Sequence, residues 1–167
     1  MPETKHFYFP VTKFLRGQLR EIDSLRIAPL RILKFKGETD STWISLDDVR
    51  KRASPFLTPE IDSANLLRLF NETTFMDQTL NTLTLTYSKS SNASDTFRLR
   101  NWDVYIDPVK HIIQKVYIVK MENINGEQQT QELTWKTGYW YKILTFPSDT
   151  GHVQDIKEEI VIWNFNH

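Results

Sequence analysis

Asp149-Thr150-Gly151 is the tripeptide with the most specific chemical use in this chain, since two such carboxylates held face to face share one proton and activate water. The chain has one copy. It is preceded by Pro147-Ser148 and followed by His152-Val153, not by the apolar strand and loop that would aim the carboxylate. A turn over 147–151 accounts for it fully, and a second copy from a dimer would not supply the missing frame. The histidines His6, His111, His152 and His167 fall in four different segments, so their spacing gives no convergence on a metal. A weak site of His152 with Asp149 or Asp155 competes with a plain surface turn. Asp103 and Asp107 flank Tyr105 on one phase of a strand, which suits an acid pair, but Asp107 also opens the turn Asp107-Pro108-Val109-Lys110. Neither a Gly-x-Ser-x-Gly elbow nor a phosphate-cradling glycine loop occurs. Arg50-Lys51-Arg52 is the only basic cluster, fit for a solvated last helical turn or for an anion site. Asn71-Glu72-Thr73 and Asn92-Ala93-Ser94 are sequons by pattern alone.

The most suggestive group is not catalytic. Tyr117, Thr134 and Tyr141, with Tyr139 and Ile143 nearby, are expected to form a cross-strand row, and phenols with an apolar body and a polar tip line ligand grooves well. These four, Tyr117, Thr134, Tyr139 and Tyr141, are the candidate ligand-binding residues. The competing reading is that an N-terminal helix covers this face, because Phe14, Leu15, Leu19 and Ile22 need a surface to bury.

The row depends on three antiparallel strands between Lys110 and Phe146. Asn125-Gly126 is a strong signal for a type I′ hairpin, in which both central residues need φ > 0. That turn pairs Ile118 with Leu133, Val116 with Trp135 and Tyr117 with Thr134. Thr137-Gly138, read as a second two-residue turn, pairs Trp135 with Trp140 and Thr134 with Tyr141. One face then holds Val116, Ile118, Leu133, Trp135, Trp140, Leu144 and Phe146, and the other Tyr117, Val119, Tyr139, Tyr141 and Ile143.

Around this core the chain reads in order. Val11, Phe14, Leu15, Leu19 and Ile22 recur at helical spacing behind Pro10, which predicts an amphipathic helix over 10–25, with Gly17 a weak point. Short strands over 30–36 and 42–45 flank a polar turn at Gly37-Glu38-Thr39-Asp40. Ser45 caps a helix carrying Leu46, Val49 and Ala53 that stops at Pro55. Thr58-Pro59-Glu60 is expected to start another helix running through Leu66, Leu67 and Phe70. From Leu80 the period becomes two, with threonines 82, 84 and 86 alternating with Leu83, Leu85 and Tyr87. A bulge is expected near Arg100 or Asn101, where the apolar phase changes, and a last strand over 152–165. The sum is α+β: N-terminal helices packed on a curled, six-stranded antiparallel meander sheet, an open or half barrel. Residues 1–167 form one domain in this reading, 1–78 mostly helical with a short hairpin and 79–167 sheet.

Lys plus Arg equals Asp plus Glu at 21 each, so the long-range attraction for phosphate typical of nucleic-acid binders is absent. With no cysteine the chain forms neither a disulfide nor a thiolate metal site. No apolar run approaches the ~18 to 20 residues of a membrane span, and the N-terminal residues have no basic-then-apolar leader. As written the chain reads as cytoplasmic, or as one trimmed of a leader.

The helix at Val11 to Leu25, the turn-and-strand piece around Gly37, Ser54-Pro55-Phe56 with its following helix, and strands meeting at Val109-Lys110 and Leu133-Thr134-Trp135 resemble, in that order, small envelope lipoproteins of gram-negative bacteria. The resemblance implies an exported, lipid-anchored, periplasmic or outer-membrane protein without known activity; the lipid-bearing cysteine and leader of that group are missing here. The expectation is therefore a non-enzymatic, envelope-associated structural or interaction domain, without cofactor or nucleic-acid partner. The alternative is a lipocalin-like carrier of a small apolar ligand on the open sheet face. A hydrolase built from Asp103, Asp107 and a histidine ranks last.

Overall fold

The computed structural model describes residues 8–66, 68–148 and 155–166. Helix α1 (Val11–Asp23) buries Val11, Leu15, Leu19 and Ile22, one stripe of a 3.6-residue period, as its spacing predicts. Thr12, buried beside that stripe, accepts a hydrogen bond from the Ile61 amide at 2.8 Å. Strands β1 (Leu30–Phe35) and β2 (Glu38–Trp43) form a hairpin closed by Lys36-Gly37, both at positive φ (51° and 77°). The turn therefore lies on two residues and not on Gly37–Asp40, and β2 starts earlier than expected. Helix α2 (Leu46–Arg52) is capped by Ser45, whose hydroxyl accepts from the Asp48 amide at 3.1 Å. A single 3-10 turn, Ser54–Phe56, follows.

The expected helix from Pro59 through Phe70 shrinks to α3 (Ser63–Leu66), and Phe70 opens β3 (Phe70–Asp77). Thr73, Thr74 and Phe75 favour the pleated state, and β4 (Thr82–Lys89) offers them a partner over the whole length of β3. Asp77 closes this hairpin, its carboxylate accepting from the Thr79 and Leu80 amides (2.9 and 3.0 Å) while Asn81 takes φ 50°. Asp107, Val109, Lys110 and His111 repeat the arrangement two hairpins later. Among the described residues up to 78, three strands accompany the helices.

Strands β5 (Leu99–Asp107), β6 (Ile112–Ile124), β7 (Glu127–Lys136), β8 (Trp140–Phe146) and β9 (Lys157–Ile162) complete a nine-stranded antiparallel sheet, ordered β2-β1-β9-β8-β7-β6-β5-β4-β3 and not closed. The six expected strands thus gain β3 at one side and the β1–β2 hairpin at the other. The bulge expected at Arg100 is present between Leu99 and Asn101, and a second lies where Ile106 opposes Ile113.

The β6–β7 register is the one that Asn125-Gly126 predicts. The β7–β8 register differs by one residue: Trp135 opposes Tyr141, and Thr134 opposes Lys142. The loop holds three residues, Thr137, Gly138 and Tyr139, with Gly138 at φ 80° and the Tyr139 amide bonded to the Lys136 carbonyl. Because side chains alternate with a period of two, that one extra residue turns all of β8 over. Tyr141 and Ile143 join Val116, Ile118, Leu133 and Trp135 in the core, and Trp140, Leu144 and Phe146 leave it.

The buried face of the sheet carries two stacked ring pairs. Tyr87 lies on Trp102 (4.7 Å, 12°), and Trp135 lies on Tyr141 (5.2 Å, 21°). Each pair is met edge-on by a ring from the N-terminal part of the chain, Tyr8 in the first case and Phe56 in the second.

Candidate functional site

The inverted β8 decides the fate of the tyrosine row. Tyr117 and Thr134 oppose each other on the face away from the core, whereas Tyr141 sits on the core face with its hydroxyl donating to the Val49 carbonyl at 3.1 Å. Tyr139 lies in the β7–β8 loop, where its carbonyl accepts from the Trp163 and Asn164 amides. The four candidates are therefore split between two faces and a loop. Burial, reinforced by the Glu132 and Asp103 carboxylates, pushes the Tyr117 phenol up to about 12. That makes it a poor proton donor near neutrality.

Of the other chemical candidates, Asp107 and Asp103 each accept hydrogen bonds, though one Asp103 carboxylate oxygen is buried without a partner, His111 is exposed in the β5–β6 turn, and the rest lie outside the described residues. Asp107 spends its carboxylate on the Lys110 and Val109 amides, which hold it below the usual carboxylate range, so it is a weak general acid. Asp103 accepts from the Tyr105 hydroxyl at 3.4 Å. Asp149-Thr150-Gly151, His6, His152 and His167 fall among the residues not described. Among the described residues no three His, Asp or Glu side chains gather to hold a metal.

A different place brings polar groups together on the buried side. Lys120, Gln131, Thr145 and Lys157 stand in one row across β6–β9, and Leu133, Ile143 and Glu159 stand in the next. Over these rows lie the last turn of α2 and the Ser54–Phe56 turn. Phe56 is wedged against Trp135 and Tyr141 (5.2 and 5.3 Å). The Lys120 ammonium donates to the Pro55 and Thr58 carbonyls (2.7 and 2.6 Å) and lies 3.4 Å from Glu122. A lysine only 1% exposed is rare, and burial lowers its pKa, the Glu122 charge working the other way.

Between this overlying segment and the sheet a cleft of about 360 Å³ remains, with Lys51, Arg52 and Pro55 on one wall and Gln131, Ile143 and Lys157 on the other. Glu159, 8% exposed, borders it and is clamped by Arg31 (2.7 and 2.8 Å) and Arg52 (3.2 Å). Its charge is the main electrostatic reason, after burial, that the Tyr141 phenol is held far above its ordinary value. Two buried polar atoms of residues that line the cleft have no partner, the Gln131 amide oxygen and the Arg52 Nε. One needs a donor and the other an acceptor.

Part of this site was visible in the sequence and part was not. Arg50-Lys51-Arg52 stands out as the basic cluster, and two of its members reach the cleft while Arg50 pairs with Asp23. Gln131, Lys120 and Glu159 were missed, although each shares the phase of apolar core neighbours on its strand, which is the signal of a polar group carried inside. Comparison with family models, curated proteins and solved structures yields no match.

Proposed function

We propose that this chain is a non-enzymatic binding module in which the N-terminal helices plug the inner face of a curled, half-open sheet and leave the cleft beside α2 for a small ligand. The observation that carries the reading is that two residues lining this cleft of about 360 Å³, Gln131 and Arg52, each hold a buried polar atom without a partner, in a space within the roughly 300–1,000 Å³ range of small-molecule pockets. The reading of a filled sheet, against the wide open face of a lipocalin-like carrier, is supported by Tyr8, Val11, Leu15, Val49 and Phe56, which belong to the same buried cluster as the sheet residues. The module reading predicts one saturable site for a neutral solvatochromic dye, weakened at least about tenfold by Thr145→Phe, which fills the cleft from its half-buried wall. Absence of saturable binding, or equal binding to the variant, overturns it.

A protein-interaction role is the second reading, favoured by Trp43 (63% exposed) and Phe165 (51% exposed), whose rings meet at 6.3 Å on the surface. Sedimentation of the wild type and a Trp43→Ser, Phe165→Ser variant over a concentration range reads whether this pair joins copies of the chain. An envelope location rests on the resemblance in element order and is tested by cell fractionation.

A further inference from the structure

We infer that the cleft beside α2 selects a small amphipathic carboxylate that also carries an N–H or O–H donor, an inference that rests on the binding-module reading. Lys51, Arg52 and Lys157 line the cleft against the single carboxylate of Glu159, which leaves two positive charges in excess. That carboxylate is already engaged by Arg31 and Arg52. Among the described residues no carboxylate lies within ion-pair distance of Lys51 or Lys157. Both are exposed, and their flexible stems let the ammonium groups close over a ligand at the mouth.

The two unpartnered atoms sharpen the class. Arg52 Nε is a buried donor without an acceptor, and a turn of the partly exposed guanidinium, which lines the cleft, brings it to a ligand carboxylate. Gln131, 7% exposed and lining the cleft, has an amide oxygen without a donor, and its terminal torsion has a broad two-fold well, so the amide can turn toward the bound molecule. A purely apolar ligand would leave both atoms as they are. Ile124, Ile143 and Pro55 supply an apolar wall for a short tail, and the volume is too small for a long lipid chain or a folded peptide.

Calorimetric titration with N-hexanoylglycine, its methyl ester and its N-methyl analogue tests this, because the three differ in charge and in one N–H. The acid is expected to bind, and the ester and the N-methyl compound to bind about tenfold more weakly each. A Lys51→Ala, Lys157→Ala variant removes the preference for acid over ester. Gln131→Leu removes the preference for N–H over N-methyl. If Gln131→Leu does not fold, the three ligands on the wild type and the double lysine variant still decide the matter, since both lysines are exposed. Equal binding of acid and ester, or of acid to wild type and lysine variant, overturns the inference. If the neutral dye still binds and is blocked by Thr145→Phe, the selectivity fails and the module stands; if neither dye nor acid binds, both fall.

Discussion

The two stacked ring pairs of the core are built to one plan and placed in different surroundings. In each, directly opposed residues on neighbouring strands stack their rings: Tyr87 on Trp102 between β4 and β5, Trp135 on Tyr141 between β7 and β8. Each receives one edge-on ring from the N-terminal part of the chain at nearly the same distance, 5.1 Å for Tyr8 and 5.2 Å for Phe56. Each also leaves its indole N–H buried without an acceptor. Tyr8 and Tyr87 fasten the first pair through bonds to the Phe70 carbonyl and from the Phe9 amide. The carboxylate nearest it, Glu72, is exposed on an edge strand. The second pair borders buried Glu159, its two arginines and the cleft. The difference teaches that ring stacking is common to both halves of the core, whereas the second pair is joined by ion pairs that tie β9 to β1 and α2 and by a lysine that ties β6 to the Pro55–Thr58 segment.

If the two pairs are equal supports, Trp135→Ala and Trp102→Ala should each lose about 3 to 5 kcal/mol in urea unfolding. A loss at one position less than half that at the other would break the comparison. Tyr141→Phe removes a buried hydroxyl that donates to Val49 and should lose about 0.5–1.5 kcal/mol near neutral pH. The same phenols govern alkaline behaviour. Burial raises the folded-state pKa of Tyr87, Tyr117 and Tyr141 above 10.0, so above that pH the unfolded chain gives up protons that the folded chain keeps. Stability is then full below pH 10.0 and falls as pH rises, Tyr117 ionising near 12 and the two core phenols only on unfolding, as phenolate absorbance would report. Lys120 acts in the opposite sense. Its folded pKa lies below 10.5, so stability rises with pH between that value and 10.5, and Lys120→Met should flatten this part of the profile.

Smaller changes test the frame that holds the second pair. Gly138→Ala meets open space, but φ 80° disfavours a side chain, and a loss of about 1 kcal/mol is expected, read as a lower melting temperature. Gly17→Ala in α1 places a methyl at an ordinary 3.9 Å from Arg20 and should raise stability by about 0.5–1 kcal/mol. Thr84→Ala, on the wetter face of β4, should change the urea midpoint by about 0.5 kcal/mol or less.

The fold was legible where local chemistry leaves one answer. Asn125-Gly126 set one hairpin, Ser45 set the start of α2, and the stripe of α1 needed no tertiary information. Thr137-Gly138 misled because a glycine with φ > 0 serves two-residue and three-residue loops alike, and the choice between them inverts a strand. That inversion dissolved the tyrosine row. Phe70–Asp77 was missed because its partner β4 lies beyond the loop at Asp77–Asn81, and strand pairing overrides a helical start signal at Pro59. The cleft was legible only in its basic cluster. Its other wall is a row across four strands, and adjacency of that kind follows from registers, not from spacing along the chain.

The pairing of β1 with β9 sets a condition on how the chain is made. Leu30 opposes Ile162, so one side of β1 is completed by a strand that leaves the ribosome more than a hundred residues later. Synthesis proceeds from the N-terminus, and until β9 emerges the early hairpin presents a bare row of amides and carbonyls to its surroundings. A message ending before residue 157 would yield a nascent product with that sticky border permanently uncovered, a natural target for chaperones and proteases.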